Sequence, residues 1–237
     1  MVKCLALLWS LLAAAQAGAS CRQALALGLD VSGSVDSFEY RLQIDGLANA
    51  LGHPDVTSAL LAMPSAPVSI AIFEWSGPDD QRLLHDWIAV TDEQVLDQII
   101  TALRRTRRGP GDPSTALGAA MQFGLALLDQ KDRCWKRTLD ISGDGKNNTG
   151  RHPREITSRA EQTAITINGL VIGAETMNSA DQRQLEIADL WAFYKLYVIS
   201  GPDAFIETAI GFRDFENAMV RKLKRELQGQ FFSRASQ

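Results

Sequence analysis

Residues 24–36, ALALGLDVSGSVD, decide the fold of this chain. The first six of them are apolar or small, which is typical of a short strand buried inside a sheet. The run ends at Asp30, and further oxygen-bearing side chains follow in alternation at Ser32 and Ser34. Hard cations such as Mg²⁺ prefer oxygen ligands, and Gly33 is expected to allow a tight bend because it has no Cβ. The segment therefore predicts a buried strand followed by a loop whose oxygens converge on a cation.

The rest of the chain alternates between strand-like and helix-like sequence. The predicted strands are Ala24–Leu29, Val68–Phe73, Leu83–Val90, Arg137–Ile141, Ile165–Ile172 and Lys195–Ile199. The predicted helices are Phe38–Leu51, Asp92–Leu103, Ser114–Leu128, Pro153–Gln162, Gln182–Ala192 and Phe212–Leu227. This alternation favours an α/β fold, with a doubly wound, mostly parallel six-stranded sheet and helices on both faces. Such sheets bind ligands at the carboxyl ends of their strands, which is where the loop after Asp30 lies.

Length and composition fit one globular domain, which we predict at residues 21–230. The chain has 237 residues, of which 46% are hydrophobic and 22% charged, with a net charge of -4. A nucleic-acid partner is not expected, because binders of nucleic acid usually carry a clustered basic face. The one basic run, residues 104–108, follows a helical pattern and is interpreted as a solvated helix end, where cations suit the helix dipole.

The first twenty residues differ from the remainder. Lys3 is their only charge, an apolar stretch covers Leu5–Ala15, and small residues follow it. This pattern is typical of a secretory signal cleaved after Ala17 or Ala19. We therefore predict a signal peptide at residues 1–20 and an exported protein, periplasmic or secreted. No later segment is apolar enough to predict a membrane span.

Three separated parts of the sequence together resemble the metal-ion-dependent adhesion site of von Willebrand factor A domains. Asp30, Ser32 and Ser34 match its first motif, directly after the first strand. Thr115 stands just before a predicted helix, and Asp144 just after a predicted strand, in the order that the family shows. The similarity covers almost the whole chain after the signal peptide.

The resemblance implies a ligand set and a way of binding. Ser32 and Ser34 would bind Mg²⁺ or Mn²⁺ directly, and Thr115 would do so when a partner is bound. Asp30 and Asp144 would act largely through bridging waters. One coordination position would stay open for an Asp or Glu carboxylate of a protein partner. The identity of that partner does not follow from the resemblance.

Some stretches are similar, more narrowly, to an uncharacterised subset of secreted von Willebrand A proteins from alphaproteobacteria. These stretches are Asp30–Asp36, Leu139–Gly145 with Asn147 and Asn148, and Gly201–Phe205. The chain departs from that subset at Ser200–Asp203, where a turn richer in glycine is expected. This narrower resemblance implies a fold and a site, and no biological role.

A disulfide between Cys21 and Cys134 follows from the same resemblance. In a von Willebrand A sheet the first and fourth strands are parallel neighbours. Cys21 lies nine residues before Asp30, and Cys134 lies ten before Asp144, so both cysteines should reach the opposite edge of the sheet at similar height. An exported protein suits such a bridge. A lipid on Cys21 is the less favoured alternative, since both modifications need the same sulfur.

Two features have more than one interpretation. Asp140 lies inside an otherwise apolar strand, and a buried carboxylate must be paired or hydrogen-bonded. It either supports the metal loop from behind or, as the more common case, serves as a structural acceptor or ion-pair partner. Asn147 and Asn148 either bind the metal loop or simply form a turn, which is the more common role of asparagine.

The leading functional hypothesis is a metal-dependent protein-binding module that is not an enzyme. One alternative is a phosphatase of the haloacid dehalogenase type, with Asp30 as nucleophile and Gly143–Gly145 as a later motif. That chemistry needs a second carboxylate as general acid and base two residues after the nucleophile, where this chain has Ser32. The other alternative is a von Willebrand A domain whose metal site is vestigial. Motifs of α/β-hydrolases, P-loop proteins and zinc sites are absent from the sequence.

Overall fold

A computed structural model describes residues 20–173 and 180–228. Its strands are β1 (Gln23–Asp30), β2 (Val68–Trp75), β3 (Gln81–Val90), β4 (Lys136–Gly143), β5 (Thr166–Ile172) and β6 (Ile206–Ala209). Its helices are α1 (Ser37–Leu51), α2 (Pro54–Leu61), α3 (Glu93–Arg105), α4 (Leu117–Asp129), α5 (Pro153–Gln162), α6 (Ala180–Tyr197) and α7 (Phe215–Gln228), with a 3₁₀ turn at Phe212–Asp214. The predicted signal peptide lies outside the described residues, except for Ser20 at its end.

The six strands form one sheet in the order β3-β2-β1-β4-β5-β6, and all neighbours are parallel except β2 and β3. The predicted doubly wound, mostly parallel sheet is therefore confirmed. Strand β1 lies at the centre and is buried along its whole length. Helices α1, α3 and α7 pack on one face of the sheet, and α4, α5 and α6 pack on the other.

Side chains of β1 alternate between these two layers, as the two-residue repeat of a strand requires. Leu25, Leu27 and Leu29 pack into the layer of α1 and α7. Ala24 and Ala26 face the layer of α4 and α6. The small residues on this second face let α4 and α6 pack close to the centre of the sheet.

The prediction of a last strand at Lys195–Ile199 is wrong. Residues Lys195–Ile199 are not a strand: they belong to the end of α6 and the turn after it, and the last strand is β6. The buried residues Tyr194 and Val198 are four apart, which is the spacing of one helix face. A short apolar run cannot be assigned to helix or strand from periodicity alone. Helix α2, which begins at Pro54 after His53, was not predicted either.

Cys21 and Cys134 form the predicted disulfide, with their Cα atoms 4.5 Å apart. The register of the neighbouring strands explains it, because Gln23 of β1 pairs with Lys136 of β4 and each cysteine lies two residues earlier. The bridge closes a separation of 113 residues. The sulfur of Cys21 is thereby occupied, so it cannot also carry a lipid.

A buried ion cluster fixes α7 to the sheet. The ammonium of Lys222 lies 2.6 Å from a carboxylate oxygen of Asp140 and 3.0 Å from one of Glu226. The amide of Asn168 on β5 donates to Glu226 at 2.7 Å. Asp140 is therefore a structural hydrogen-bond acceptor for Lys222 on the α7 face of the sheet, and the structural interpretation of this residue is the correct one.

The electrostatics of the cluster favour a proton on Asp140. Burial and the nearby charge of Glu226 raise the pKa of Asp140 well above its usual range. The pKa of Glu226 is lowered despite its burial, because Lys222 stabilises its charge. A protonated Asp140 leaves one positive lysine beside one negative glutamate, which avoids a net charge in the interior.

Loss of the disulfide should lower the free energy of unfolding without changing the fold. We expect the double variant Cys21→Ser, Cys134→Ser to lose about 2–4 kcal/mol, because a long loop in the unfolded chain is no longer closed. Urea denaturation followed by circular dichroism measures the difference. Two free thiols in the mass spectrum of the unreduced wild-type protein would contradict the bridge.

Two lysines on α7 offer a matched comparison of buried and exposed ion pairs. Removal of one partner from a buried pair costs about 3–5 kcal/mol, so Lys222→Ala should strongly destabilise the protein. Lys224→Ala breaks a surface pair with Asp55 and should change stability little, because solvent screens such pairs. Similar denaturation midpoints for the two variants would show that the cluster does not anchor α7.

Candidate metal centre

Two carboxylates meet where neighbouring strands end. Strand β1 ends at Asp30, and its parallel neighbour β4 ends one residue before Asp144. Parallel strands present their carboxyl ends at the same edge of a sheet, so both side chains reach one place. Their negative charges act on each other, since the charge of Asp144 raises the pKa of Asp30.

Three hydroxyl groups complete the cluster. Ser34 Oγ donates to Asp144 Oδ1 at 2.7 Å, and the hydroxyl oxygens of Ser32 and Ser34 are 3.3 Å apart. Thr115 Oγ1 donates to Ser32 Oγ at 3.3 Å. The backbone N–H of Ser32 donates to Asp30 Oδ1 at 2.9 Å. All five side chains predicted as metal ligands therefore lie together.

The electrostatics of this cluster fit a divalent cation. Asp30 is fully buried, and its Oδ2 has no hydrogen-bond partner among the described residues. Burial and the charge of Asp144 raise the pKa of Asp30 to about 8, and burial also raises the pKa of Asp144. A fully buried carboxylate beside a half-buried one resists ionisation without a compensating positive charge. A bound cation supplies that charge and reverses both shifts.

The donor set consists of oxygen atoms. Two carboxylates and three hydroxyls provide them, and oxygen ligands of this kind suit a hard divalent cation. The part of the chain that the structure describes has no group of three or more His, Cys, Asp or Glu that could hold a metal. A metal at this edge of the sheet would depend on the hydroxyl oxygens of Ser32, Ser34 and Thr115.

Arg108 supports the metal loop, a role that was not predicted. Its guanidinium donates to the backbone carbonyl oxygens of Val31 and Ser32 at 3.0 and 3.2 Å, and also to that of Val35. The basic run is therefore a helix end only in part: α3 stops at Arg105. Arg108 binds backbone atoms, which no pattern of residue types reveals, so the sequence held no signal for this contact.

Gly33 is needed for a reason other than the one expected. It does not have the positive φ that favours glycine, so the bend itself would accept other residues. The backbone N–H of Gly33 donates to the carbonyl of Pro113 at 2.9 Å. A Cβ on Gly33 would lie 2.9 Å from that same carbonyl oxygen. Glycine is thus required by the close approach of the loop that carries Thr115.

Asn147 and Asn148 hold the same loop from the other side. Asn148 Oδ1 accepts from the N–H of Thr115 at 2.9 Å, and its own N–H donates to the Thr115 carbonyl at 3.0 Å. Asn147 Oδ1 accepts from the N–H of Gly118 at 3.2 Å, in the first turn of α4. The two asparagines therefore hydrogen-bond the loop that carries Thr115 and the start of α4, whereas the predicted partner was the loop after Asp30.

A family model described as "Protein of unknown function (DUF1194)" matches residues 20–231. The chain belongs to the DUF1194 family. No curated protein matches it.

Solved structures show what fold this DUF1194 protein has. It is similar to the proximal thread matrix protein 1 of the mussel byssus with a zinc-occupied MIDAS motif (TM-score 0.59, 13% identity, 88% of this chain and 46% of that chain). It is also similar to the pilus adhesin SpaC from Lactobacillus rhamnosus GG (TM-score 0.59, 12% identity, 88% and 31%). A third is a von Willebrand factor type A structure from Catenulispora acidiphila (TM-score 0.53, 16% identity, 88% and 42%).

These likenesses establish the fold. The DUF1194 chain has the von Willebrand factor A fold, as the sequence resemblance implied. It spans less than half the length of each of the three structures named. In the described part of the chain, no helix has both the length and the apolar character needed to cross a membrane.

Without divalent cations, the protein should become less stable as pH rises from about 4 to about 8. The pKa of Asp30 is about 8 in the folded chain but about 3.9 in an unfolded one, so the folded state binds more protons in this window. The free energy of unfolding then falls with pH, by at most about 1.4 kcal/mol per unit. Urea denaturation in EDTA between pH 4 and pH 9 measures this slope.

The variant Asp30→Asn serves as the control, since an amide does not titrate in this range. Its free energy of unfolding should fall less steeply with pH than that of the wild type, because among the carboxylates of the described residues only Asp140 and Asp144 still have raised pKa values in the folded chain. An equal slope in wild-type and variant protein would assign the titration to another group.

Proposed function

We propose that this DUF1194 protein is a protein-binding module whose binding depends on a divalent cation, Mg²⁺ or Mn²⁺, held by Asp30, Ser32, Ser34, Thr115 and Asp144. The observation that carries this proposal is the convergence of oxygen-bearing side chains around the buried carboxylate of Asp30, whose Oδ2 has no hydrogen-bond partner among the described residues. The zinc-occupied MIDAS motif named for the mussel protein supports divalent metal use on this fold.

Partner recognition follows from the nature of the ligands. We expect the neutral hydroxyl oxygens of Ser32 and Ser34 to bind the cation directly and Asp30 and Asp144 to act largely through waters, so the cation keeps electrophilic character. An Asp or Glu carboxylate of a protein partner is the oxygen ligand best suited to satisfy it. The name of the pilus adhesin SpaC supports an interaction role for this fold.

The proposal places the protein outside the cytoplasm, in the periplasm or secreted. The Cys21–Cys134 disulfide supports export, because such bridges persist in oxidising compartments. We propose further that the module is not an enzyme. The haloacid dehalogenase alternative has less support, because the residue two positions after Asp30 is Ser32 and not the second carboxylate that this chemistry needs.

Metal titration is the first test. Calorimetry on protein stripped of metal should show saturable binding of Mg²⁺ or Mn²⁺ at one site, and the Asp30→Ala variant should lose it. Asp132→Ala is the matched control, because this exposed aspartate lies near Cys134, before β4 begins and at the opposite end of the sheet from Asp144. Equal binding by wild-type and Asp30→Ala protein would place the metal elsewhere, and no binding at all would favour a vestigial site.

The same proteins test the partner and the enzyme alternative. Wild-type protein should retain a partner from its own compartment in Mg²⁺ and release it in EDTA, whereas Asp30→Ala should retain none. Hydrolysis of p-nitrophenyl phosphate that is lost in Asp30→Asn would instead support the phosphatase.

A further inference from the structure

Three buried polar atoms behind the metal loop have no hydrogen-bond partner among the described residues. They are Asp30 Oδ2, the hydroxyl of Tyr194 and the indole Nε1 of Trp75. One is an acceptor when ionised and two are donors. Buried polar atoms are nearly always hydrogen-bonded, directly or through water, since an unsatisfied one costs free energy. If these atoms lie close together, the two donors and the one acceptor can satisfy one another, directly or through a water molecule.

All three side chains do meet at one point, beside Gly143 at the end of β4. A Cβ on this glycine would lie 2.6 Å from the Tyr194 hydroxyl and 2.9 Å from Asp30 Oδ2. These two oxygens are thus at most about 5.5 Å apart, a span that one water molecule bridges. The Trp75 ring borders the same point, with Cζ2 3.5 Å away and Nε1 two bonds from that carbon.

Two glycines on neighbouring strands make room for Tyr194. Its side chain comes from α6 and crosses β5 and β4, where the sheet presents Gly169 and Gly143. A Cβ on Gly169 would lie 2.7 Å from the tyrosine ring, and a Cβ on Gly143 would lie 2.6 Å from the hydroxyl. The ring is fully buried. This groove directs the hydroxyl toward the carboxyl end of β1, so its position next to Asp30 is imposed by the sheet.

We propose that Tyr194 is a positioning residue for Asp30, joined to Oδ2 through one buried water molecule that also accepts the indole N–H of Trp75. The inference rests on the proposed metal function for its purpose. Asp30 Oδ1 already accepts from the N–H of Ser32, and the tyrosine fixes the second oxygen. With both oxygens held, the carboxylate keeps the orientation that the cluster requires, and α6 becomes mechanically connected to the metal loop.

A second contact connects the same helix to the site at the surface. Lys146, two residues after Asp144, forms an ion pair with Asp189 of α6. The side chains of Lys146 and Asp189 are both largely exposed, so this ion pair alone contributes little to stability. The buried connection through Tyr194 lies one helical turn further along α6 and is shielded from solvent.

The test compares two tyrosines of α6 that lie three residues apart. Tyr194→Phe removes only the hydroxyl and should weaken Mg²⁺ or Mn²⁺ binding by about ten-fold or more, the usual effect of losing a group that orients a metal ligand. Tyr197→Phe is the matched control, since its half-buried ring packs against Phe193 and against His152 at the start of α5. It should leave the affinity unchanged. Unchanged affinity in Tyr194→Phe, with wild-type protein binding the metal, overturns the inference and leaves the proposed function intact.

A double-mutant cycle without metal separates the two failures. The free energy of unfolding is measured in EDTA for the wild type, Tyr194→Phe, Asp30→Ala and the double variant. If the hydroxyl acts through Asp30, its removal has a much smaller effect once Asp30 is alanine. Additive effects of the two substitutions overturn the inference, whether or not the wild-type protein binds metal. Absence of metal binding in the wild-type protein together with a non-additive cycle would refute the proposed function and retain the link between the two residues.

Discussion

The burial of Asp30 at the end of the central strand is the constraint on which the rest of the site depends. A carboxylate with no exposed surface is costly unless it is neutralised or hydrogen-bonded from several sides. The groups around Asp30 offset part of this desolvation cost. The Ser32 N–H serves one oxygen, and three hydroxyls gather in front of it. Arg108 fixes the loop that carries these groups through its backbone carbonyls.

The pair of strands β1 and β4 carries this constraint at one end and is secured at the other. At the carboxyl end, Asp30 and Asp144 repel each other when both are ionised. At the amino end, the disulfide joins the residues that precede both strands. The ladder of backbone hydrogen bonds between β1 and β4 fixes their relative register. The repulsion between Asp30 and Asp144 does not separate the two strands, because the backbone hydrogen bonds and the disulfide hold them together.

The parts of this arrangement that were predictable from sequence are those that depend on order along the chain. Strand β1, the alternation of Asp30 with Ser32, and the positions of Thr115 and Asp144 are local patterns. The cysteine pairing followed from the resemblance, with nearly equal counts of nine and ten residues back from two aspartates. Contacts made by tertiary packing were not predictable. Arg108 recognises carbonyl oxygens, which every residue has. The run at Lys195–Ile199 looks like a strand but carries the packing face of α6, because Tyr194 and Val198 enter the core one turn apart.

A comparison of two buried carboxylates on adjacent strands gives the strongest physical argument for a cation. Asp140 on β4 pairs with Leu27 of β1 and faces the layer of α7, where Lys222 neutralises the cluster. Asp30 lies an odd number of residues after Leu27, so its side chain faces the opposite layer, toward Tyr194 and Trp75. A shift of one residue would exchange the two faces. On the α7 side of the sheet, the ammonium of Lys222 supplies positive charge. On the α6 side, the groups that contact the Asp30 cluster among the described residues are hydroxyl and N–H groups. A hydroxyl can orient a carboxylate but cannot neutralise it, so the proposed divalent cation would supply the positive charge that lets Asp30 and Asp144 be ionised together.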